Sequence, residues 1–311
     1  GSFAKLLATN CLAHPVLLAG LADFLQLSGP LLRKLPPDSG LRLKLGLFLE
    51  TPGKREEQRS PHAATGKAAA PDGISIFPGC LAHHLRPEIA ESLATLLAAT
   101  GKEAPHTPEG QSCCGLATYS AGNREEARRL ARQNLDAFAS GSGPIVTPCG
   151  SCYSHLHSYQ ELLGDDPEYA PRALAFVARL REMSEFLAAS PAATPSPVPD
   201  RPPETLRVFY HDPCHLRFQP GLREAPRLLL RAKPGAELVE LPEGPRCCGL
   251  GGTFNLAHPK LSQRIGAGLA AGIIALAPDL VVTSCSGCLI QLHRELAGSR
   301  IKVMHLASFL A

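Results

Sequence analysis

Two adjacent cysteines followed by a glycine occur twice in this chain, at Cys113-Cys114-Gly115 and at Cys247-Cys248-Gly249. Such a pair brings two thiolates together where a glycine lets the backbone turn freely. A lone cysteine after a short apolar run lies 32 residues ahead of each pair, Cys80 in FPGC and Cys214 in HDPC. A C-x-x-C follows each, Cys149 and Cys152 in TPCGSC, Cys285 and Cys288 in SCSGC. The two sets read C-x32-CCG-x33-CxxC and C-x32-CCG-x35-CxxC, and they absorb ten of the eleven cysteines. An internal duplication explains this, and the two halves close on similar tails, Met183–Leu187 and Leu306–Leu310.

Between the cysteines the chain alternates strand and helix patterns. Strands are expected at 74–77, 145–147, 207–210, 237–240 and 281–283. Helices are expected after Pro87, from an Asn123/Glu126 cap-like start, around 223–232 and over 259–275. The resulting fold class is α/β: two domains with mostly parallel sheets, related by a pseudo-twofold, plus an N-terminal helical segment. The expected divisions are 1–72 for the helical segment and linker, 73–190 and 204–311 for the two domains, and 191–203 for a linker between them. That last linker lies in a stretch, 190–203, with six prolines in fourteen residues. In parallel sheets ligands gather at the carboxyl ends of the strands. The cysteines follow strands, so each set should converge on one edge of its domain.

Ten of eleven cysteines in metal-ligand spacings, rather than spread through a short secreted domain, point to a reducing cytosol rather than to disulfides. The chain opens Gly-Ser-Phe without Met, as a trimmed N-terminus would. A formal charge of +3 with scattered basic residues speaks against nucleic acid. The apolar region Val16–Leu32 is too interrupted to span a bilayer and reads as a docking helix, or more plainly a core helix, and residues 12–32 as a candidate peripheral membrane contact. Cys11 reads as an inert free thiol.

Thiolate ligands select zinc, copper(I) or iron–sulfur clusters. Structural zinc uses four ligands and leaves a fifth idle in each half. An iron–sulfur cluster ordinarily takes four as well, and the adjacent pair gains a use only if one residue bridges two irons or the cluster is distorted. Both metals stay open on spacing alone, with iron–sulfur favoured.

The duplicated pattern resembles the cysteine-rich CCG domain of the heterodisulfide reductase catalytic subunit and of the glycolate oxidase and lactate dehydrogenase iron–sulfur subunits. The second half (HDPCHLRFQPG, CCGLGGTFNLAHP, SGCLIQL) is most similar to the glycolate oxidase iron–sulfur subunit. The resemblance covers roughly residues 73–311 and implies two Rossmann-like domains. It implies two [4Fe-4S] clusters, of a non-cubane kind in which all five cysteines are ligands. Cys80, Cys113, Cys114, Cys149 and Cys152 would hold one. Cys214, Cys247, Cys248, Cys285 and Cys288 would hold the other, with Gly115 and Gly249 letting the backbone approach. Relatives of the glycolate oxidase type carry ferredoxin-like cysteine runs that this chain lacks, so a partner or a missing module would supply those clusters.

Two functions follow. One is an electron-transfer subunit for a flavin-dependent 2-hydroxy acid oxidoreductase. The flavin (FAD) would belong to a partner flavoprotein subunit, because Gly249-Leu250-Gly251-Gly252 does not follow the G-x-G-x-x-G spacing. The other is heterodisulfide reductase-like chemistry at the clusters, with His215 beside Cys214, and His84 as its counterpart, as candidate proton sources. For both histidines, packing beside the cluster edge is the plainer role. Two zinc staples, or a Cys214-His215 nucleophile pair, are the remaining alternatives. Arg86 and Arg217 are candidates for offsetting cluster charge, and His155 and His157 for imidazole ligands, against ordinary surface roles. Location in the cytoplasm, with any membrane association made through partners, completes the expectations.

Overall fold

The computed structural model describes Gly20 and residues 72–101, 104–190, 205–217, 219 and 221–311. The expected N-terminal helical segment, nearly all of its linker, Cys11 and the proline-rich linker at 191–203 therefore lie outside the described residues, Gly20 apart.

The first half runs β1 (Ser75–Ile76), α1 (Cys80–Leu85), α2 (Glu88–Ala98), α3 (Leu116–Ser120), α4 (Arg124–Ala137), β2 (Ile145–Thr147), α5 (Gly150–His157), α6 (Tyr159–Leu162), α7 (Tyr169–Arg179), β3 (Leu180–Glu182) and α8 (Met183–Ala188). The second runs β4 (Leu206–His211), α9 (Cys214–Arg217), α10 (Glu224–Ala232), β5 (Ala236–Val239), α11 (Phe254–Ala257), α12 (Pro259–Leu276), β6 (Leu280–Thr283), α13 (Ser286–Glu295), β7 (Lys302–His305) and α14 (Leu306–Leu310).

Each half is built on a wholly parallel sheet, in the orders β1-β2-β3 and β5-β4-β6-β7. The central strands β2 and β6 are buried along their whole length, as strands covered on both faces must be. Strand β5 lies on one side of β4 while β6 and β7 lie on the other, so the order reverses at the β4/β6 boundary. The first half keeps only a trace of the fourth strand, a single parallel bridge between Ser75 and His106. The fold is thus a pair of Rossmann-like α/β halves.

Local sequence accounts for the helix starts. Proline fixes φ near its helical value, and Pro87 (φ −58°) leads into α2, whose Ile89, Leu93 and Leu97 are buried. Each such side chain contributes about 1.5–3 kcal/mol by leaving water. Asn123 caps α4 by accepting the Glu126 amide at 3.2 Å. Glu182 caps α8 and His305 caps α14, one at the end of each half's last strand.

Those last helices cross over. The tail helix of the first half, α8, packs on α10 of the second, and α14 packs on α2 of the first, where Ser92 Oγ and Ser308 Oγ lie 3.3 Å apart. The reciprocal exchange is a pseudo-twofold in itself. Its axis passes near the C-x-x-C loops, where the Gly150 amide donates to the Ser284 carbonyl at 2.8 Å and Leu216 packs onto Gly150. A β-carbon on Gly150 would stand 2.7 Å from Leu216 Cγ.

Candidate metal centre

The order reversal in the sheet positions the cysteines. Strands β4 and β6 are neighbours whose connections leave in opposite directions, which opens a crevice at their carboxyl ends. Cys214 opens α9 three residues after β4, and Cys285 is the N-cap of α13 two residues after β6. The first half repeats this with Cys80 at the start of α1 and Cys149 as the N-cap of α5. The adjacent pairs arrive on the loops ahead of α3 and α11.

Within each half the five thiols meet. Cys80 Sγ is 3.5 Å from Cys113 Sγ. Cys113 lies beside Cys114, Cys114 beside Cys152, and Cys152 beside Cys149. In the second half Cys214 contacts Cys247, Cys247 contacts Cys248, Cys248 Sγ is 3.3 Å from Cys288 Sγ, and Cys288 contacts Cys285. Cys149 Sγ and Cys285 Sγ, 4.0 Å apart, join the two runs. Ten sulfurs therefore form one path, 80-113-114-152-149-285-288-248-247-214, that reads alike from either end.

All ten are free thiols, and the Cys80–Cys113, Cys149–Cys285 and Cys248–Cys288 separations of 3.3–4.0 Å are far longer than a disulfide bond of about 2.05 Å. They are close to the roughly 3.8 Å between two thiolates that share a tetrahedral metal at about 2.3 Å. Crowding forces unequal protonation. Hydrogen bonds from Cys114 and Cys80 hold the Cys113 thiol well below its usual range, and those from Cys214 and Cys248 bring Cys247 down to about 2. Cys285 is held low by Cys149 and Cys288. The hydrogen bond to Cys113 and burial push Cys80 up, and Cys152 and Cys288 rise for the same kinds of reason. Clustered thiols of this kind are the donors that soft metals and iron–sulfur clusters take.

Backbone donors complete each end. Gly115 (φ +93°) and Gly249 (φ +88°) fold back so that their amides donate to Cys113 Sγ at 3.5 Å and Cys247 Sγ at 3.3 Å. The first loop is pinned by a buried network: Asn134 takes the Ser112 amide at 2.7 Å and donates to the Cys113 carbonyl at 3.0 Å, while Tyr159 Oη donates to the Cys114 carbonyl at 2.7 Å. In the second half Arg217 Nη1 donates to the Pro245 carbonyl at 2.7 Å, tethering the approach to Cys247. Arg86 pairs instead with Glu88.

The candidate histidines lie at different places. His84, in the last turn of α1, borders a cleft lined by Pro78, Gly79, Cys80, His83, Ser112 and Cys113, and burial lowers its pKa. His215 sits between the halves, its Nδ1 3.1 Å from Ser151 Oγ and 3.8 Å from Cys214 Sγ, while Ser151 Oγ is 3.2 Å from Cys285 Sγ. His155 is buried and His157 exposed. Sequence reasoning missed His211, a buried residue whose ring nitrogen lies within 4.8 Å of both Cys248 and Cys288 sulfurs. It also missed the buried Asp212–Arg227 pair, in which Arg227 spans Asp212 at 2.9 and 2.5 Å and reaches the exposed Glu240. The strand-end position three residues before Cys214 was the available signal for His211. No helix among the described residues is long and apolar enough to cross a membrane.

The cysteine-rich CCG domain matches this chain twice, over residues 74–157 and 208–293. A "Probable glycolate oxidase iron-sulfur subunit" of Bacillus subtilis is 31% identical over 298 residues, which is 94% of this chain and 65% of that relative. "Lactate utilization protein A" of Halalkalibacterium halodurans is 32% identical over 241 residues, covering 76% of this chain and 96% of the relative. A protein of Geobacillus kaustophilus with the same name is 32% identical over 240 residues. The crystal structure of a hypothetical protein from Helicobacter pylori shares the fold at a TM-score of 0.56 and 10% identity, over 90% of this chain and 55% of that one.

Proposed function

The chain belongs to the cysteine-rich CCG-domain family, and on that premise we propose that it is an iron–sulfur electron-transfer subunit of a flavin-dependent 2-hydroxy acid oxidoreductase. The observation that carries this is the unbroken path of ten thiols through both halves. A 2-hydroxy acid of the glycolate or lactate class loses two electrons and two protons in becoming a 2-oxo acid. A flavin on a partner would supply two-electron acceptance, and the ten cysteines would hold one-electron centres through which the pair could leave singly.

The assigned ligands are Cys80, Cys113, Cys114, Cys149 and Cys152 for one [4Fe-4S] cluster, and Cys214, Cys247, Cys248, Cys285 and Cys288 for the other. Five donors per half favour the non-cubane kind. Flavin and substrate belong to a flavoprotein partner, and further clusters to a ferredoxin-like module. The names of two relatives, a probable glycolate oxidase iron-sulfur subunit of B. subtilis and a lactate utilization protein of H. halodurans, support the iron–sulfur and 2-hydroxy acid parts of this reading. Anaerobic purification followed by iron, sulfide and zinc analysis tests it. About eight iron and eight sulfide per chain, with cluster signals in electron paramagnetic resonance, are expected. Stoichiometric zinc, or a chain without iron, overturns it.

Ser151 and His215 favour a second reading. A half-buried imidazole at the seam of two thiol sets, hydrogen-bonded toward Cys285 through Ser151, suits proton delivery to a disulfide that takes up two electrons and two protons to become two thiols. Turnover of a disulfide with an artificial electron donor separates this from simple electron relay.

A further inference from the structure

Duplication furnishes matching positions in the two halves, and at one of them the residues differ in chemistry. Three residues before the first cysteine of each set stand Phe77, just after β1, and His211, the last residue of β4. Phe77 is fully buried and packs on Phe138, with ring centres 5.9 Å apart. His211 is 2% exposed, and its backbone is fixed: it pairs with Thr283 of β6, whose hydroxyl donates to the His211 carbonyl at 3.1 Å. Its Nε2 has no protein partner, and a ring nitrogen lies within 4.8 Å of the Cys248 and Cys288 sulfurs. A buried N–H without an acceptor costs roughly 1–3 kcal/mol, and sulfur is the acceptor that this corner offers.

The first half has a buried imidazole too, but its proton is turned the other way. Ser158 Oγ donates to the His155 carbonyl at 2.7 Å and so accepts from His155 Nδ1 at 3.3 Å. That leaves Nε2 of His155 as a lone pair, 3.4 Å from where a Gly115 β-carbon would stand. His211, with an unpartnered Nε2 and a ring nitrogen beside its thiol set, can present an N–H there, whereas His155 has its Nδ1 proton committed to Ser158.

We propose that His211 is a positioning residue that donates its ring N–H to a sulfur of the second cluster, raising that cluster's reduction potential above the first. This rests on the cluster reading of the two thiol sets. Reduction adds one electron to a cluster and makes it one unit more negative. A fixed N–H dipole aimed at its sulfur stabilises that reduced state. Electrons entering through the first half then collect in the second.

The test is a redox titration of the full chain followed by electron paramagnetic resonance, with iron and sulfide measured on each variant. His211→Phe should keep its iron and lower one midpoint only. At fixed potential the reduced-to-oxidised ratio of that cluster should fall roughly tenfold, about 59 mV for one electron. His211→Gln, which keeps an N–H, should recover most of the shift. Unmoved midpoints, equal shifts in both clusters, or loss of iron from His211→Phe would each overturn the proposal. An unsubstituted chain that assembles no cluster overturns the cluster reading itself, and this inference with it.

Discussion

Cys149 Sγ lies 4.0 Å from Cys285 Sγ, so the first cysteines of two C-x-x-C pairs, 136 positions apart, meet on the pseudo-twofold. Each belongs to its own half, yet the seam between the halves runs through their contact. Whether the metal sites behave as two or as one follows from which sulfurs are removed.

Cys114 and Cys248 contact sulfurs of their own halves. Cys114→Ser and Cys248→Ser should each lower iron per chain by about half, and the double variant should lose nearly all of it. Iron analysis of anaerobic preparations reads this directly. A single substitution that stripped both halves would mean one shared site.

Gly115 and Gly249 separate two physical effects. Both need positive φ, which costs a residue with a side chain about 1–2 kcal/mol. A β-carbon on Gly115 meets its nearest atom at 3.4 Å, whereas one on Gly249 falls 2.6 Å from the Ser262 carbonyl oxygen. Gly249→Ala should therefore destabilise more than Gly115→Ala, by roughly 1–3 kcal/mol of overpacking. Urea midpoints of the two variants compare them.

These elements also show what the sequence reveals by itself. The turn at each adjacent cysteine pair, the strands β2 and β6 and the Asn123 cap were legible because spacing, apolar runs and capping are local signals. Strands β3 and β7 were not. Leu180–Glu182 follows a helix with no breaker between them, and Lys302–His305 is too short for alternation to register. The thiol spacing pointed to a metal centre because the cysteine pattern repeats. His211 stayed hidden because a histidine gains meaning there only when β4 lies beside β6. The Ser151–His215 contact joins residues from separate halves, and no spacing rule encodes it.

Arg227 is buried with Asp212 and reaches Glu240 with the same guanidinium. Arg227→Met strands the Asp212 carboxylate in the interior, at about 3–5 kcal/mol. Adding Asp212→Asn should restore most of that, because the uncompensated charge is gone. Denaturation of the two variants beside the unsubstituted chain decides it, and equal midpoints for the single and double variants would refute it.

Glu182 caps α8 through Oε2, which accepts the Ser184 amide at 2.7 Å and the Glu185 amide at 3.3 Å. Burial outweighs these bonds and raises its carboxyl to about 7. The folded state therefore binds a proton more tightly than the unfolded chain. Stability is greatest below the ordinary carboxyl range and falls as pH rises through about 7, by on the order of 3 kcal/mol. Glu182→Gln should flatten that slope. Unfolding midpoints at pH 5 and pH 8 should differ less in the variant.

The sulfur path is open at its extremities and sealed at its centre: Cys247 is exposed and Cys80 and Cys214 half-buried, while Cys149 and Cys285 are 4% and 1% exposed. It resembles an insulated cable with bare terminals. Dissolved oxygen reaches the terminals first, so corrosion creeps inward and the seam between the halves is the last stretch to fail.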